Sequence, residues 1–197
     1  LHGPEIGPDG TLERDYHDTV LNNRLQSALE RLNPQIPAAA LCEALKRIVR
    51  VHQPTLIENN RAFHELLLSG VPVEYRSNTG DIKHDRARVL DFDNALNNEF
   101  VAVNQLTILQ GDFHRRPDVV LFVNGLPLVL IELKNAADSK ADLAAAYRQI
   151  QTYKREISDF FRFNELCIIS DGIEAEMGTI SSSLERMMPW KTVDGEK

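Results

Sequence analysis

Cysteine is scarce in this 197-residue chain: there are only Cys42 and Cys167, far apart in the sequence. That spacing excludes a disulfide framework and a cysteine-based metal site, and it fits free thiols in a reducing compartment. No apolar run approaches the ~20 residues of a membrane helix, and no signal peptide opens the sequence, so a cytoplasmic location is expected. No G-x-x-x-x-G-K-[ST] loop occurs, so an ATP site is not expected within this chain. The six histidines show no ligand spacing, and neither a zinc cluster nor a Ser–His–Asp arrangement can be assembled. Positive charge is also short, with 22 Lys and Arg against 29 Asp and Glu and a net charge of −7. That is the wrong sign for a protein that grips DNA unaided.

What is present is a globular composition, 43% hydrophobic and 26% charged, in a chain long enough for one α/β domain. Helices are predicted over residues 19–32, ended by Asn33-Pro34; over 37–50, with Pro37 in the first turn; and over 55–69, with Gly70 just past the end. Strands are predicted over 71–76, 87–92 and 100–109, then 166–170 and 173–177 around an Asp171-Gly172 turn. Residues 1–10 read as irregular. The polar stretch from Arg186 reads as the start of a linker, leaving 1–185 as the domain.

The centre of the chain carries the chemistry. Arg115-Arg116-Pro117-Asp118 leads into the apolar run Val119-Val120-Leu121-Phe122-Val123. Asn124-Gly125 tolerates the positive φ values of a tight reversal, and a second apolar strand runs from Leu128 to Ile131-Glu132-Leu133-Lys134. Side chains alternate along a strand, so Glu132 and Lys134 share a face and Leu133 points away. Whether Asp118 joins them depends on parity. A two-residue loop alone puts Asp118 opposite Ile131 and sends Glu132 to the other side of the sheet. An odd loop, or a β-bulge with the same effect, sets Asp118 opposite Glu132. The second arrangement is predicted.

Two opposed carboxylates repel unless a cation lies between them. Mg²⁺ takes oxygen ligands and keeps several waters, so Asp118, Glu132 and the main-chain carbonyl of Leu133 form a sufficient protein set. Such an ion activates water and polarises a phosphoryl oxygen. Lys134 then orients the water or stabilises charge on the phosphate. The simpler account of the same residues is a strand-end salt bridge between Glu132 and Lys134, with Asp118 a turn residue.

A helix is predicted from Ala141 to Ile157, with Asp138 or Ser139 as N-cap. It places Gln149 and Tyr153 four apart on one face, where they can meet phosphate and sugar without reading sequence. Arg115 and Arg116 lean toward phosphate contact. Lys83, Arg86 and Arg88 read as a solvated face, His64 and Glu65 as packing or surface residues, and Glu74 and Asp91 as partners of Arg76 or Arg88.

Asp118, Glu132-x-Lys134 and Gln149-x-x-x-Tyr153 resemble the PD-(D/E)xK nuclease superfamily in its QxxxY branch. Longer stretches resemble the R-subunit family of type I restriction endonucleases: Glu58-Asn59-Asn60-Arg61-Ala62-Phe63-His64, Gly70-Val71-Pro72-Val73-Glu74-Tyr75, the whole of Arg115 to Gly125, Gln151-Thr152-Tyr153-Lys154 and Ile169-Ser170-Asp171-Gly172. The likeness runs from near Glu5 to Pro189-Trp190. It implies an α/β fold with a mixed central sheet flanked by helices, forming the endonuclease domain of a motor subunit whose helicase-like ATPase domains follow. It further implies Mg²⁺-dependent cleavage of double-stranded DNA after ATP-driven translocation, in complex with modification and specificity subunits. Tethering to that motor compensates for the net negative charge. By position, Asp118 and Glu132 take the metal-ligand roles, Lys134 the catalytic lysine role, and Gln149 and Tyr153 the DNA-handling positions. Relatives carry a further N-terminal helix, and this chain, opening Leu1-His2-Gly3-Pro4, reads as starting just after it. Two alternatives keep the same core: a repair or recombination nuclease, and a non-catalytic module that docks DNA or other subunits.

Overall fold

The computed structural model describes residues 1–50, 52–77, 79–134 and 143–191. A single helical turn, α1 (Gly3–Ile6), stands where the sequence reads as irregular. Three helices follow, α2 (Asn22–Leu32), α3 (Ala38–Val49) and α4 (Leu56–Ser69). Asn33 ends α2, its side chain donating to the carbonyls of Leu29 at 2.8 Å and Arg88 at 2.9 Å. Thr55 opens α4 through a capping box: the Glu58 N–H donates to Thr55 Oγ1 at 3.2 Å, and the Thr55 N–H donates to Glu58 Oε2 at 3.1 Å. Gly70, at φ 74°, then swings the chain into β1 (Val71–Arg76).

The partner of β1 is not the predicted 87–92 segment but β2 (Ile82–Ala87), antiparallel from Val71↔Ala87 to Arg76↔Ile82. The ribbon is mostly exposed and polar, so β2 has no apolar alternation to read. Val89 is buried in irregular chain beyond it. Asp91 lies in that irregular chain too. It accepts from the N–H groups of Asp93 and Asn94, each at 3.0 Å, and from Asn97 Nδ2 at 2.7 Å, in place of an arginine partner. Glu74 faces His84 at 3.6 Å. The predicted 100–109 strand is two, β3 (Phe100–Asn104) and β4 (Ile108–Gln110), split at Gln105, whose φ is 53°. β4 pairs with β5 (Phe113–Arg115).

The remaining elements are β6 (Val119–Val123), β7 (Leu126–Leu133), α5 (Leu143–Glu156), α6 (Ser158–Phe161), β8 (Leu166–Ser170), β9 (Ala175–Gly178) and β10 (Met188–Pro189). The expected N-cap of α5, at Asp138 or Ser139, and its expected start at Ala141 lie outside the described residues. Six strands form the central sheet in the order β10-β9-β8-β7-β6-β3. Only β7 and β8 within it are parallel, as a strand–helix–strand crossover through α5 requires. The result is a mixed sheet flanked by helices. Met188 and Pro189, within the stretch read as a linker, supply its outer strand.

The β6–β7 hairpin turns through two residues, Asn124 at φ 51° and Gly125 at φ 80°, the left-handed pair of a type I′ turn. A Cβ on Gly125 would come within 2.5 Å of the Leu21 carbonyl oxygen, so both φ and the close approach of α2 call for glycine. Pairing runs Val123↔Leu126 and Phe122↔Pro127, then shifts to Leu121↔Val129, leaving Leu128 as an extra residue. This bulge reverses the phase of β7. Before it, Leu126 and Leu128 pack into a core with Leu25, Leu29, Leu41 and Phe63. After it, Leu130 packs on the opposite side with Val120, Ile150, Phe160 and Ile169. Each such fully buried side chain contributes about 2 kcal/mol, which holds both registers firmly.

Candidate active site

The phase reversal decides where Glu132 goes. Val119 pairs with Ile131, and one further step sets Asp118 opposite Glu132, on the α5 side of the sheet. This is the parity predicted from the sequence, reached through a bulge added to a two-residue turn.

Asp118 is held on three sides. Its Oδ2 accepts from the Leu133 N–H at 2.9 Å, and its Oδ1 accepts from Gln105 Nε2 at 3.0 Å. Its main-chain carbonyl accepts from the Gln105 N–H at 2.8 Å. Gln105 escaped the sequence reading, whose only available signal was its place in an apparently continuous strand. Its left-handed backbone breaks that strand and brings both its amides to Asp118.

Glu132 is only 1% exposed. Its Oε1 accepts from Lys134 Nζ at 2.9 Å, while its buried Oε2 has no hydrogen-bond partner among the described residues. Burial pushes the carboxyl up to about 7; the Lys134 ammonium opposes that rise and the negative charge of Asp118 adds to it. An ionised carboxylate with a bare buried oxygen is costly unless another positive group reaches it.

Lys134 also donates to Gln149 Oε1 at 2.6 Å, and Gln149 Nε2 lies 2.6 Å from the Tyr153 hydroxyl. The chain Glu132–Lys134–Gln149–Tyr153 therefore joins the end of β7 to the middle of α5. The main chain of Lys134 is fixed as well, its N–H donating to the Ser170 carbonyl at 2.7 Å. Tyr153 is nearly buried, and burial pushes its hydroxyl up to about 12, helped by the two carboxylates and opposed by Gln149. It keeps its proton at physiological pH, and its oxygen accepts from the Gln149 amide. The side chain of Leu133 faces away and is half-exposed, so only its main chain belongs to the site.

The two arginines part company. Arg115 pairs with Glu156, which strengthens its hold on the proton, and lies 6.0 Å over the Phe113 ring. Arg116 is exposed and has no ion-pair partner among the described residues. His64 stands away from this cluster, bonded to Glu165 at 2.8 Å. Among the described residues no group of three or more His, Cys, Asp or Glu side chains converges. A cation here would rest on two carboxylates completed by main-chain oxygen and water. The bare Oε2 of Glu132 and the all-oxygen donor set suit a hard divalent ion.

No helix among the described residues is long and apolar enough to cross a membrane. Residues 2–186 match the family described as "Type I restriction enzyme R protein N terminus". The chain is 44% identical over 181 residues to the "Type I restriction enzyme HindI endonuclease subunit" of Haemophilus influenzae, covering 91% of this chain and 17% of that protein. It is 27% identical over 198 residues to the "Putative type I restriction enzyme MjaIXP endonuclease subunit" of Methanocaldococcus jannaschii, covering 99% of this chain and 19% of that protein. A shorter likeness, 34% over 86 residues, links it to the "Type I restriction enzyme SauCOLORF180P endonuclease subunit" of Staphylococcus aureus. The chain thus spans less than a fifth of the length of the two relatives that align with most of it. With nearly every residue inside one family and the site lying at its centre, this chain belongs to the type I restriction enzyme R proteins, as their N-terminal region.

Proposed function

We propose that this chain is the Mg²⁺-dependent endonuclease domain of a type I restriction R subunit, built on a PD-(D/E)xK core, and that it hydrolyses phosphodiester bonds of double-stranded DNA. The observation that carries the proposal is the meeting of Asp118 and Lys134 at the Glu132 carboxylate, whose buried Oε2 has no hydrogen-bond partner among the described residues. A purely structural salt bridge explains the contact between Glu132 and Lys134. It does not explain a second carboxylate brought opposite by a bulge, nor the bare Oε2. The same features speak against a non-catalytic docking module, and family membership favours restriction over a repair nuclease.

Asp118, Glu132 and the Leu133 carbonyl would hold the Mg²⁺, which when bound polarises a phosphoryl oxygen and acidifies water. Lys134, steadied by Gln149, presents its ammonium to the phosphate as negative charge grows there. Tyr153 keeps its proton and fixes the amide of Gln149, so the ammonium is positioned from the helix side as well as from the strand. Arg116 meets the DNA backbone as a point of positive charge; Arg115, bound to Glu156, shapes that surface. ATP-driven translocation belongs to regions of the R protein beyond this chain. Partner modification and specificity subunits supply recognition, and the reaction takes place in the cytoplasm, where free thiols persist.

The test is Lys134→Ala in the full R protein, assembled with its partner subunits. DNA cutting is expected to vanish while ATP hydrolysis and translocation continue. Cutting at the wild-type rate would sink the proposal.

A further inference from the structure

The stretch from Glu58 to His64 contributes nothing to the carboxylate cluster itself, yet two of its side chains reach the chain that runs beside Leu128. Asn60 and Phe63 are three apart and share a face of α4. Asn60 Nδ2 donates to the carbonyl of Asn164 at 2.7 Å, and to those of Phe161 at 3.4 Å and Arg162 at 3.3 Å. Phe63 meets the ring of Phe163 edge to face at 5.1 Å. The connection between α6 and β8 is thereby tied to α4.

Asn164 lies at the end of that tie and is only 1% exposed. Its Nδ2 donates to the carbonyls of Leu128 at 3.3 Å and Leu166 at 2.9 Å, and its Oδ1 accepts from Cys167 Sγ at 3.1 Å. Burial pushes the Cys167 thiol up to about 12, so it stays a donor. Two carbonyls on one side and a thiol on the other fix which way the amide faces. The Glu165 N–H donates to the same Leu128 carbonyl at 2.8 Å. Two donors therefore converge on the main chain of the extra residue in β7.

That convergence bears on parity. Successive carbonyls along a strand point to opposite neighbours, so a slip of β7 by one residue would turn the Leu128 carbonyl toward β6 and away from both donors. Leu128 and Asn164 are both buried, so the slip would strip a desolvated acceptor and a desolvated donor of their partners. Resting on the nuclease reading above, we infer that Asn164, itself held by Asn60, is a positioning residue for the cation site: it grips the bulge and so keeps Glu132 opposite Asp118.

The experiment is a calorimetric titration of Mn²⁺ into the full R protein without nucleotide or DNA, with Asp118→Ala defining the binding that belongs to this site. Asn164→Ala is expected to weaken that binding about 10-fold, the low end for a residue that supports metal ligands from outside. Asn164→Asp keeps the shape and the acceptor for Cys167 but turns oxygen toward Leu128, and should weaken it at least as much. Asn60→Ala leaves the Asn164 amide in place and should show a smaller loss. Asn33→Ala supplies the contrast, because Asn33 is equally buried and also donates to two carbonyls, but it ends α2 and does not touch β7. Its Mn²⁺ binding should match wild type. Wild-type affinity in Asn164→Ala and Asn60→Ala would overturn the inference, and where the Asn164 variants fail to fold, wild-type affinity in Asn60→Ala alone does so. An equal loss in Asn33→Ala would overturn it too, as the mark of general loosening. Identical binding by wild type and Asp118→Ala would instead remove the nuclease reading, and this inference with it.

Discussion

The two halves of β7 share one apolar pattern and serve opposite sides of the sheet. Leu126 and Leu128 enter the core formed with α2, α3 and α4, whereas Leu130 enters the one formed with α5 and α6. Residues at even spacing on a regular strand would all point one way. The extra residue at Leu128 is what separates them, and Glu132 inherits the phase of Leu130. The location of the carboxylate is therefore decided four residues upstream, by a bulge lying between two cores that each hold their half of the strand in place.

The strongest way to break this contrast is to delete Leu128. The deletion removes the bulge, sends Glu132 to the Leu126 side, and should abolish both DNA cutting and Mg²⁺ binding. Leu128→Ala keeps the residue count and should cost about 2–5 kcal/mol in a denaturant melt while leaving Mg²⁺ binding intact. Equal loss of Mg²⁺ binding in two variants that both remain folded would show that parity is not the determinant.

A smaller effect is expected at Glu132 itself. Its carboxyl is raised from an ordinary value near 4.5 to about 7, so between those limits the native state binds more protons than the unfolded chain. Without divalent cation, stability therefore falls as pH rises through that window, and the loss is complete above about 7. Glu132→Gln removes the ionisable group and should stabilise the cation-free protein at pH 8 by about 1–3 kcal/mol. Below pH 4.5 the advantage should disappear. A Gln variant less stable than wild type at pH 8 would mean that Lys134 already compensates the buried charge in full.

The readable parts of the molecule are those where one physical signal dominates. Helices α2 and α4 show their stop residues, Asn33-Pro34 and Gly70, α3 shows its Pro37 start, and the hairpin shows its Asn124-Gly125 turn. The need for odd parity followed from requiring Asp118 and Glu132 to meet, and so was legible before the means of reaching it. The bulge itself was not, because Leu128 resembles its neighbours and only the packing of two separate cores reveals it as extra. β2 escaped because an exposed ribbon has no buried face to imprint a pattern. Asp91 was read as half of an ion pair because its actual partners are backbone N–H groups and an amide in irregular chain. Gln105 was hidden for a related reason: a non-glycine residue at φ 53° leaves no mark in the sequence. Arg115 and Arg116, alike by adjacency, were divided by Glu156, a partner contributed from the far end of α5.

The most direct measurement is the melting temperature of this chain with and without Mg²⁺, for wild type and Asp118→Ala. Preferential binding to the native state should raise the wild-type midpoint in proportion to occupancy, and the Asp118→Ala protein should show no such rise. The same rise in both proteins would contradict convergence of the two carboxylates on a shared cation.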